Sequence, residues 1–493
     1  MTTPPLKLFN SLTRQVEEFT PIHAGEARVY SCGPTVYNYQ HVGNMRAYVF
    51  ADTLGRTLSW AGYDLTHVVN ITDVGHLTSD ADAGDDKMEK AAASAGKSAW
   101  DIAAYYQRVF EDDLARLNIR KLQHPKATDY VEAMIEWGKG IEDKHCYRLE
   151  SGLYFDVTTV PEYGRLARAV TEEGEARIES VEGKRNAADF AIWRSTSPGE
   201  DRQMEWDSPW GRGAPGWHIE CSVMSAELLG HPFDIHTGGI DHREIHHPNE
   251  IAQNQAHNCS EKSGANIWMH NNFLVDRRGK MSKSTGDFLT LQALVDRGYH
   301  PLAYRMLCLQ AHYRSELEFT WEGLGAALVR LKRLVMGLRQ AQDQWSQEAG
   351  LAPPPPTRAD GLRAQVTHPK LAPLLEKFEN ALADDLNTAI ALTALEEVLA
   401  TRKVPKDQKS ILALGMMWPL GLMIFPREEL RLRPAGAQVT EAEIEAELVR
   451  RKEARAAKDF ALSDAIRDDL ATKGVEVMDG DPLGWDWKLE HFA

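Results

Sequence analysis

No apolar stretch in the 493-residue sequence is long enough to span a bilayer. The longest uncharged run, residues 411–425, holds two glycines and Pro419 and falls short of the roughly 20 residues a membrane helix needs. It reads as a buried helix pair. Residues 1–9 lack the basic region and long apolar core of a secretory signal. Cysteine is sparse, and nothing pairs it. Five residues, Cys32, Cys146, Cys221, Cys259 and Cys308, odd in number and scattered, make no disulfide framework. They predict a reducing, cytoplasmic setting with thiols free to bind metal. Positive charge is in deficit: 56 Lys and Arg stand against 72 Asp and Glu, a net charge of -16. That excludes a protein that coats nucleic acid indiscriminately, since such binding rests on phosphate neutralisation. Basic runs are confined to residues 330–339 and 450–458, and each reads equally as the wet face of an amphipathic helix.

A hydrophobic content of 43% with 26% charged residues is that of a globular chain, here long enough for two to four domains. Residues 28–32 read as a strand, 45–61 as an amphipathic helix and 65–71 as a β-branched strand. That unit implies parallel strands joined by a right-handed crossover. The segment from Cys32 to Asn44 then lies at a strand's carboxyl end, where helix N-termini bind phosphate. Residues 80–90 form an acidic loop leading into a helix that continues to residue 117; the loop lacks the closing glutamate of a calcium site. Residues 128–193, with a β-like piece at 153–157 and an acidic run at 171–183, look inserted. A strand-like run at 268–275 precedes a loop, 276–286, whose Lys280 and Lys283 suit it to gripping phosphates or make it an exposed turn. Beyond 317 come long amphipathic helices at 324–344 and 371–399, separated by a four-proline spacer that is extended. A second linker at 431–438 precedes helices at 441–457 and 463–473, then strand-like residues 474–478 and 485–488.

Residues 216–250 concentrate metal-type donors. Cys221, His246 and Glu250 offer soft, borderline and hard ligands of the kind zinc accepts together. His246 and Glu250 are four apart, so a helix places them on one face. Cys32, at a strand end beside the expected nucleotide site, is the best fourth ligand. The same residues also read as an ordinary buried thiol and helix-cap histidines.

Together these motifs resemble the class I aminoacyl-tRNA synthetases and, within them, the cysteinyl-tRNA synthetase family, over nearly the whole chain. The first class signature stands as His41-Val-Gly-Asn44 and the second as Lys280-Met-Ser-Lys-Ser284. The family's Tyr-x-Cys-Gly-x-Thr-Val-Tyr is matched from Tyr30 to Tyr37. Its Pro-Gly-Trp-His-Ile-Glu-Cys is matched from Pro215 to Cys221, and its His-His-x-Asn-Glu from His246 to Glu250. Residues 384–388 and 458–467 are also similar to that family.

The resemblance implies an α/β Rossmann-type catalytic domain in two halves, 1–127 and 196–316, interrupted by a connective insert, 128–195. An α-helical bundle, 317–430, and a small anticodon-binding domain, 431–493, follow. It implies one zinc held by Cys32, Cys221, His246 and Glu250, and Mg2+ with ATP. Cys146, Cys259 and Cys308 become structural thiols, with His257 and Cys259 the runner-up ligand pair. The substrates implied are ATP, L-cysteine and tRNA(Cys), handled by a cytoplasmic monomer with no membrane partner. His41 and Asn44 are expected at the phosphates with Gly43, Lys280 and Lys283 at the pyrophosphate charge, and Gly238, Gly239 and Asp241 at the adenosine. Cys32, Gly33, Thr72, Asp73 and Trp217 are expected around the amino acid. Because cysteine and serine differ by sulfur against oxygen in nearly equal volume, a soft metal site supplies the selectivity that shape alone does not.

Three positions depart from the family pattern: Asn44 where histidine is common, Pro248 where Glu is usual, and Val74-Gly75-His76 in place of an acidic pair. Two alternatives share the zinc site or the fold. One is a cysteine ligase acting on an amino sugar, whose family lacks the tRNA-reading C-terminal unit. The other is a non-catalytic RNA-binding paralogue, which needs no pyrophosphate-gripping loop.

Overall fold

The computed structural model describes residues 4–74, 86–167, 182–197, 199–200, 202–276, 279–280, 289–349, 357–423, 427–481 and 483–492. Its centre is a parallel sheet in the order Ala265–Asn271, Phe233–Gly239, Glu26–Ser31, Asp64–Val69. Strands covered on both faces need apolar residues at consecutive positions rather than alternation. Val68 and Val69, and Trp268 and Met269, are such pairs, all buried. The expected strand–helix–strand unit is present as Glu26–Ser31, the helix Val42–Trp60 and Asp64–Val69. That helix lays Phe50, Leu54 and Leu58 on Val29, Ile235 and Ile267. From Glu26–Ser31 the chain passes to a neighbour on one side, and later returns to place Phe233–Gly239 on the other. The order therefore reverses between these two strands, and a ligand crevice opens at their carboxyl ends.

Three expected helices differ from what is found. The helix expected through residue 117 is two, Lys87–Ala95 and Ala99–Arg116: Gly96, at φ 61°, caps the first, and the Ser98 side chain accepts from Asp101 N to start the second. The helix expected at 371–399 is also two, Ala372–Ala383 and Thr388–Ala400. Asp385 and Leu386 between them take positive φ of 52° and 58°. The Asp385 carboxylate offsets that strain by accepting from Phe9 N at 2.9 Å, the Tyr313 hydroxyl at 2.6 Å and Arg314 Nε at 2.7 Å. The pair expected at 411–425 is instead one helix, Lys406–Leu420, with Pro419 in its last turn and Gly421 as a left-handed cap at φ 65°. The four-proline spacer and the acidic run expected within 80–85 and 171–181 lie outside the described residues.

The inserted region carries the helix Val131–His145 and an antiparallel sheet in the order Cys146–Leu149, Gly152–Phe155, Phe190–Ser195, Gly213–Pro215. This sheet runs past residue 195, where the sequence reading divides insert from second half, because Gly213–Pro215 pairs with Phe190–Ser195. Its last strand feeds directly into Gly216 and the helix Trp217–Leu229, so the insert aims the segment that bears Cys221. The C-terminal residues pack helices Glu441–Ala456 and Phe460–Thr472 with the pair Val475–Val477 and Trp485–Trp487 around a small core of their own that includes Trp485 and Ile466. Among the described residues, no helix is long and apolar enough to cross a membrane.

Candidate active site and metal centre

The crevice at the strand reversal is a cavity of about 340 Å³, lined among others by Cys32, Gly33, His41, Gly43, Asn44 and Thr72 on one side and Trp217, Cys221, Gly239, Asp241 and His246 on the other. Cys32 follows the strand Glu26–Ser31, its N–H donating to Thr237 O at 3.0 Å. The next residue has to be glycine: a Cβ on Gly33 would stand 1.5 Å from Asn70 O, and its own N–H donates to Asn70 Oδ1 at 2.8 Å. His41 ends the loop as the N-cap of Val42–Trp60, its ring accepting from Asn44 N. Asn44 Oδ1 is buried there without a hydrogen-bond partner among the described residues. The helix N-terminus thus turns the positive end of its dipole toward the cavity, which favours an anionic ligand there.

Cys32, Cys221 and His246 line the cavity floor; one donor atom from each of them and from Glu250 behind them lies within 4.8 Å of the others, and all four residues are buried. His246 and Glu250 sit one turn apart on the helix His246–Asn258, as their spacing predicts. His246 Nε2 is 3.4 Å from Cys221 Sγ and 3.0 Å from Glu250 Oε1; donors around a tetrahedral zinc stand roughly 3.3–3.8 Å apart. Glu250 Oε1 accepts no well-aligned hydrogen bond from any described residue and has only the His246 ring at 3.0 Å and the His247 ring at 3.8 Å beside it, so this buried oxygen is available to an ion. His218 Nδ1 and His246 Nδ1 are 2.9 Å apart, a bond that turns the other ring nitrogen of His246 toward the thiols. Trp217 closes the side wall, its ring 4.3 Å from that of His246. The donor set fits zinc.

Electrostatics follow from this crowding. A hydrogen bond from Cys32, outweighing burial and helped by His246, pulls the Cys221 thiol down to about 6. Burial pushes Cys32 up. Burial disfavours the charged form of His246, yet the Cys221 and Glu250 charges carry it up to about 10. Burial also opposes ionisation of Glu250, but His236 and His246 hold its carboxyl down at about 2. Cys221 and Glu250 are thus held in the charged forms a cation binds, whereas Cys32 and His246 must each give up a proton to join them.

A second set, Cys32, His236, His247 and Glu250, satisfies the same closeness, and the sequence reading did not anticipate it. His236 Nε2 lies 2.8 Å from Glu250 Oε2, and His247 lies between Cys32 Sγ at 3.2 Å and His270 Nε2 at 2.8 Å. Their signal was visible in the His-Thr-Gly-Gly run and the doubled histidine, but only the fold brings them behind Cys32. Neither His236 nor His247 lines the cavity, whereas Cys221 and His246 do. A substrate entering from the cleft meets the first set.

Other expected residues are placed differently. Asp73 is not at the amino-acid pocket: its buried carboxylate accepts from Thr128 N at 3.0 Å and Thr128 Oγ1 at 2.7 Å. Thr72 does line the cavity, its hydroxyl donating to Glu220 Oε2 at 2.9 Å. Gly238 lies behind the cavity wall, where a Cβ would meet His242 Nδ1 at 2.7 Å and His247 Cε1 at 2.8 Å, so its smallness serves packing against the ligand helix. His257 and Cys259 form no ligand pair: His257 stacks on Trp137 at 3.6 Å and Cys259 is exposed. Lys280 is in the short strand Gly279–Lys280, paired with Leu274–Asp276. Lys283, Gly75 and His76 lie outside the described residues.

One site residue was missed altogether. Arg46, 2% exposed, reaches from the first-signature helix to four backbone carbonyls, those of Asn272, Phe273, His312 and Ser315. Val42 N also donates to Leu289 O at 2.8 Å. Both ends of the segment that carries the second signature are thus pinned to the helix that carries the first. In Arg46→Ala, ATP–pyrophosphate exchange is expected to lose up to roughly 10²-fold in kcat through misplacement, with the KM for the amino acid little changed. Steady-state exchange kinetics check this, and an unchanged kcat would remove Arg46 from the machinery.

A parallel sheet with a strand reversal, a nucleotide-type helix start and a metal-type donor set at its foot make this a doubly wound α/β nucleotide-binding domain. Residues 18–328 match the family described as tRNA synthetases class I (C) catalytic domain. A cysteine–tRNA ligase of Novosphingobium aromaticivorans is 65% identical over 98% of this chain and 97% of its own length. That of Zymomonas mobilis is 52% identical over 99% of this chain and 98% of its own. The chain belongs to the cysteine–tRNA ligase family. Among solved structures, Mycobacterium tuberculosis methionyl-tRNA synthetase bound by methionyl-adenylate superposes with a TM-score of 0.51 at 16% identity, covering 80% of this chain and 89% of that one. This likeness concerns the fold alone.

Proposed function

We propose that the chain condenses L-cysteine with ATP to cysteinyl-adenylate and pyrophosphate, and transfers the cysteinyl group to the terminal ribose of tRNA(Cys). The observation that carries this is the convergence of two thiols and an imidazole on the floor of a nucleotide-type cleft with a carboxylate directly behind them. Cys32, Cys221, His246 and Glu250 would hold one zinc. When bound there, it offers the substrate's sulfur a soft Lewis acid that serine's hydroxyl cannot exploit equally.

The chain's own residues do the rest by positioning and by answering charge. The helix start at His41, Gly43 and Asn44 receives the phosphates. Gly239 and Asp241 face the adenosine side, and Trp217 shapes the side-chain pocket with Thr72 and Gly33. Lys280 and Lys283, with Mg2+ on the nucleotide, answer the charge that builds on pyrophosphate. Residues 317–430 act as a helical bundle, and 431–493 read the anticodon with a local basic face. The protein works as a cytoplasmic monomer. An amino-sugar acceptor is the less favoured reading, because the likeness to the tRNA ligases runs through the C-terminal residues.

The test is ATP–pyrophosphate exchange with cysteine and with serine, followed by charging of tRNA(Cys), with zinc determined on the same samples. Exchange is expected with cysteine and to be at least about 10²-fold weaker in kcat/KM with serine. Equal exchange with both amino acids, or cysteine activation without tRNA charging, would overturn the reading.

A further inference from the structure

Asp385 is buried in the short link between the helices Ala372–Ala383 and Thr388–Ala400, well away from the cavity lining. Besides Phe9 N–H, its carboxylate holds the Tyr313 hydroxyl and Arg314 Nε, and His312 Nε2 stands 3.6 Å from it. Residues 312–315 in turn lie against the catalytic domain. Arg46, from the first-signature helix, donates to His312 O at 3.3 Å and to Ser315 O at 2.6 Å. Asn272, which does line the cavity, donates through its N–H to Tyr313 O at 2.8 Å and through Nδ2 to Arg314 O at 3.0 Å. The Tyr313 ring lies on Phe50 of the first-signature helix, the centres 4.4 Å apart and the planes at 14°. One carboxylate of the helical region therefore reaches both the first-signature helix and the cavity wall through a single loop.

Two further features show that this contact is held by its hydrogen bonds. Asp385 and Leu386 keep positive φ, a conformation that persists in non-glycine residues only where the surroundings over-determine it, as they do at functional sites. A cavity of about 20 Å³, lined by Arg46, Phe50, Tyr313 and Leu386 among others, lies against the link, so close packing does not fix the loop unaided.

Resting on the adenylation step proposed above, we infer that Asp385 is a positioning residue for that step. Acting through residues 312–315, it sets the first-signature helix, gripped by Arg46, against the strand end at Asn272 that leads into the second signature. The helical region thus takes part in adenylate formation without touching a substrate.

The test is steady-state ATP–pyrophosphate exchange with cysteine in Asp385→Asn, Arg46→Ala and the double variant, with thermal unfolding on the same samples. Asparagine keeps the shape and an acceptor for Phe9 N–H, but loses the charged oxygen that meets Arg314 Nε. Asp385→Asn is expected to lose about tenfold in kcat through misplacement, with the KM values for cysteine and ATP within about twofold of wild type. The double variant is expected to stay within about twofold of Arg46→Ala in kcat, because both residues act on one loop, whereas independent effects would multiply. Tyr313→Phe keeps the ring on Phe50 and removes one bond to Asp385; it is expected to show the same pattern at smaller size, and it decides the matter if Asp385→Asn is too unstable to assay. Unchanged kcat in the folded variants, a rise in both KM values at unchanged kcat, or losses that multiply with Arg46→Ala overturn the assignment. A wild type without cysteine-dependent exchange sinks the adenylation reading instead, and is recognised before any variant is compared.

Discussion

Cys221→Ser is expected to lose more than about a hundredfold in cysteine-dependent ATP–pyrophosphate exchange and to be isolated with little zinc. The loss should exceed the roughly 10–100-fold typical when an outer partner of a metal site is removed, since here a donor itself goes. Serine keeps the volume of cysteine, so packing in the helix Trp217–Leu229 is preserved. Its hydroxyl, however, does not ionise as the Cys221 thiol does, which is pulled down to about 6 by Cys32 against burial. The comparison that decides the ligand set is His247→Ala. His247 belongs only to the second candidate set and Cys221 only to the first, whereas Cys32 and Glu250 belong to both. Full zinc in the His247 variant with loss in the Cys221 variant is the expected pattern, read by elemental analysis independently of activity. The reverse pattern would move the ion behind Cys32, away from the cavity.

Asp52→Asn is expected to destabilise the protein by about 3–5 kcal/mol, the usual cost of breaking a buried ion pair from one side. Asp52 is wholly buried, and its carboxylate meets Arg305 at 2.6 Å, Arg56 at 2.7 Å and Arg120 at 3.1 Å. Arg305 is as buried as its partner and also donates to Leu420 O at 2.8 Å and Leu117 O at 3.0 Å; Arg56 donates to Trp418 O at 3.0 Å. The cluster therefore fastens the first-signature helix to Lys406–Leu420 and to the end of Ala99–Arg116. Asparagine would keep the shape, remove the charge and strand three guanidinium groups, which do not shed their protons.

The pH dependence carries a sign. Burial raises the Asp52 carboxyl, but Arg305, Arg56 and Arg120 outweigh it and hold it well below the usual carboxylate range. A carboxyl depressed in the folded state contributes stability fully present above its unfolded value, about 4, and lost as pH falls below it toward the folded value. The gap between wild type and Asp52→Asn should thus be flat at neutral pH and narrow in acid. Thermal unfolding across pH at fixed zinc measures it, and a variant as stable as wild type at pH 7 would show that the cluster is not a fastening.

How much of this was legible before folding depends on the distance over which each signal acts. The strand–helix–strand unit was readable because apolar runs and periodicity are local properties, although its helix starts at Val42, capped by His41, rather than at residue 45. His246 and Glu250 were readable as a pair because the helix alone sets their separation. The breaks at Gly96 and at Asp384 to Asn387 were misjudged as continuous helix. The second is held open by Phe9, Tyr313 and Arg314, contacts that no local pattern contains. Arg46 and Asp52 look, in sequence, like ordinary polar residues on an amphipathic helix; only packing reveals that one holds four carbonyls and the other three arginines.

The sequence by itself determined the chemistry on offer: soft and hard donors near one another, a phosphate-type turn between strand and helix, cationic residues in a glycine-bounded loop. These are properties of residue type and of spacing within a single element, which survive without a fold. Tertiary structure decided which donors share a point. It set Cys32, from a strand end, over Cys221 and His246 from two separate helices, and it turned His236 and His247 to the far side of the same thiol. Residues distant in the chain converge only when strand order and helix crossing are in place, so the choice between two overlapping donor sets belongs to the parallel sheet and its reversal, not to any stretch of sequence.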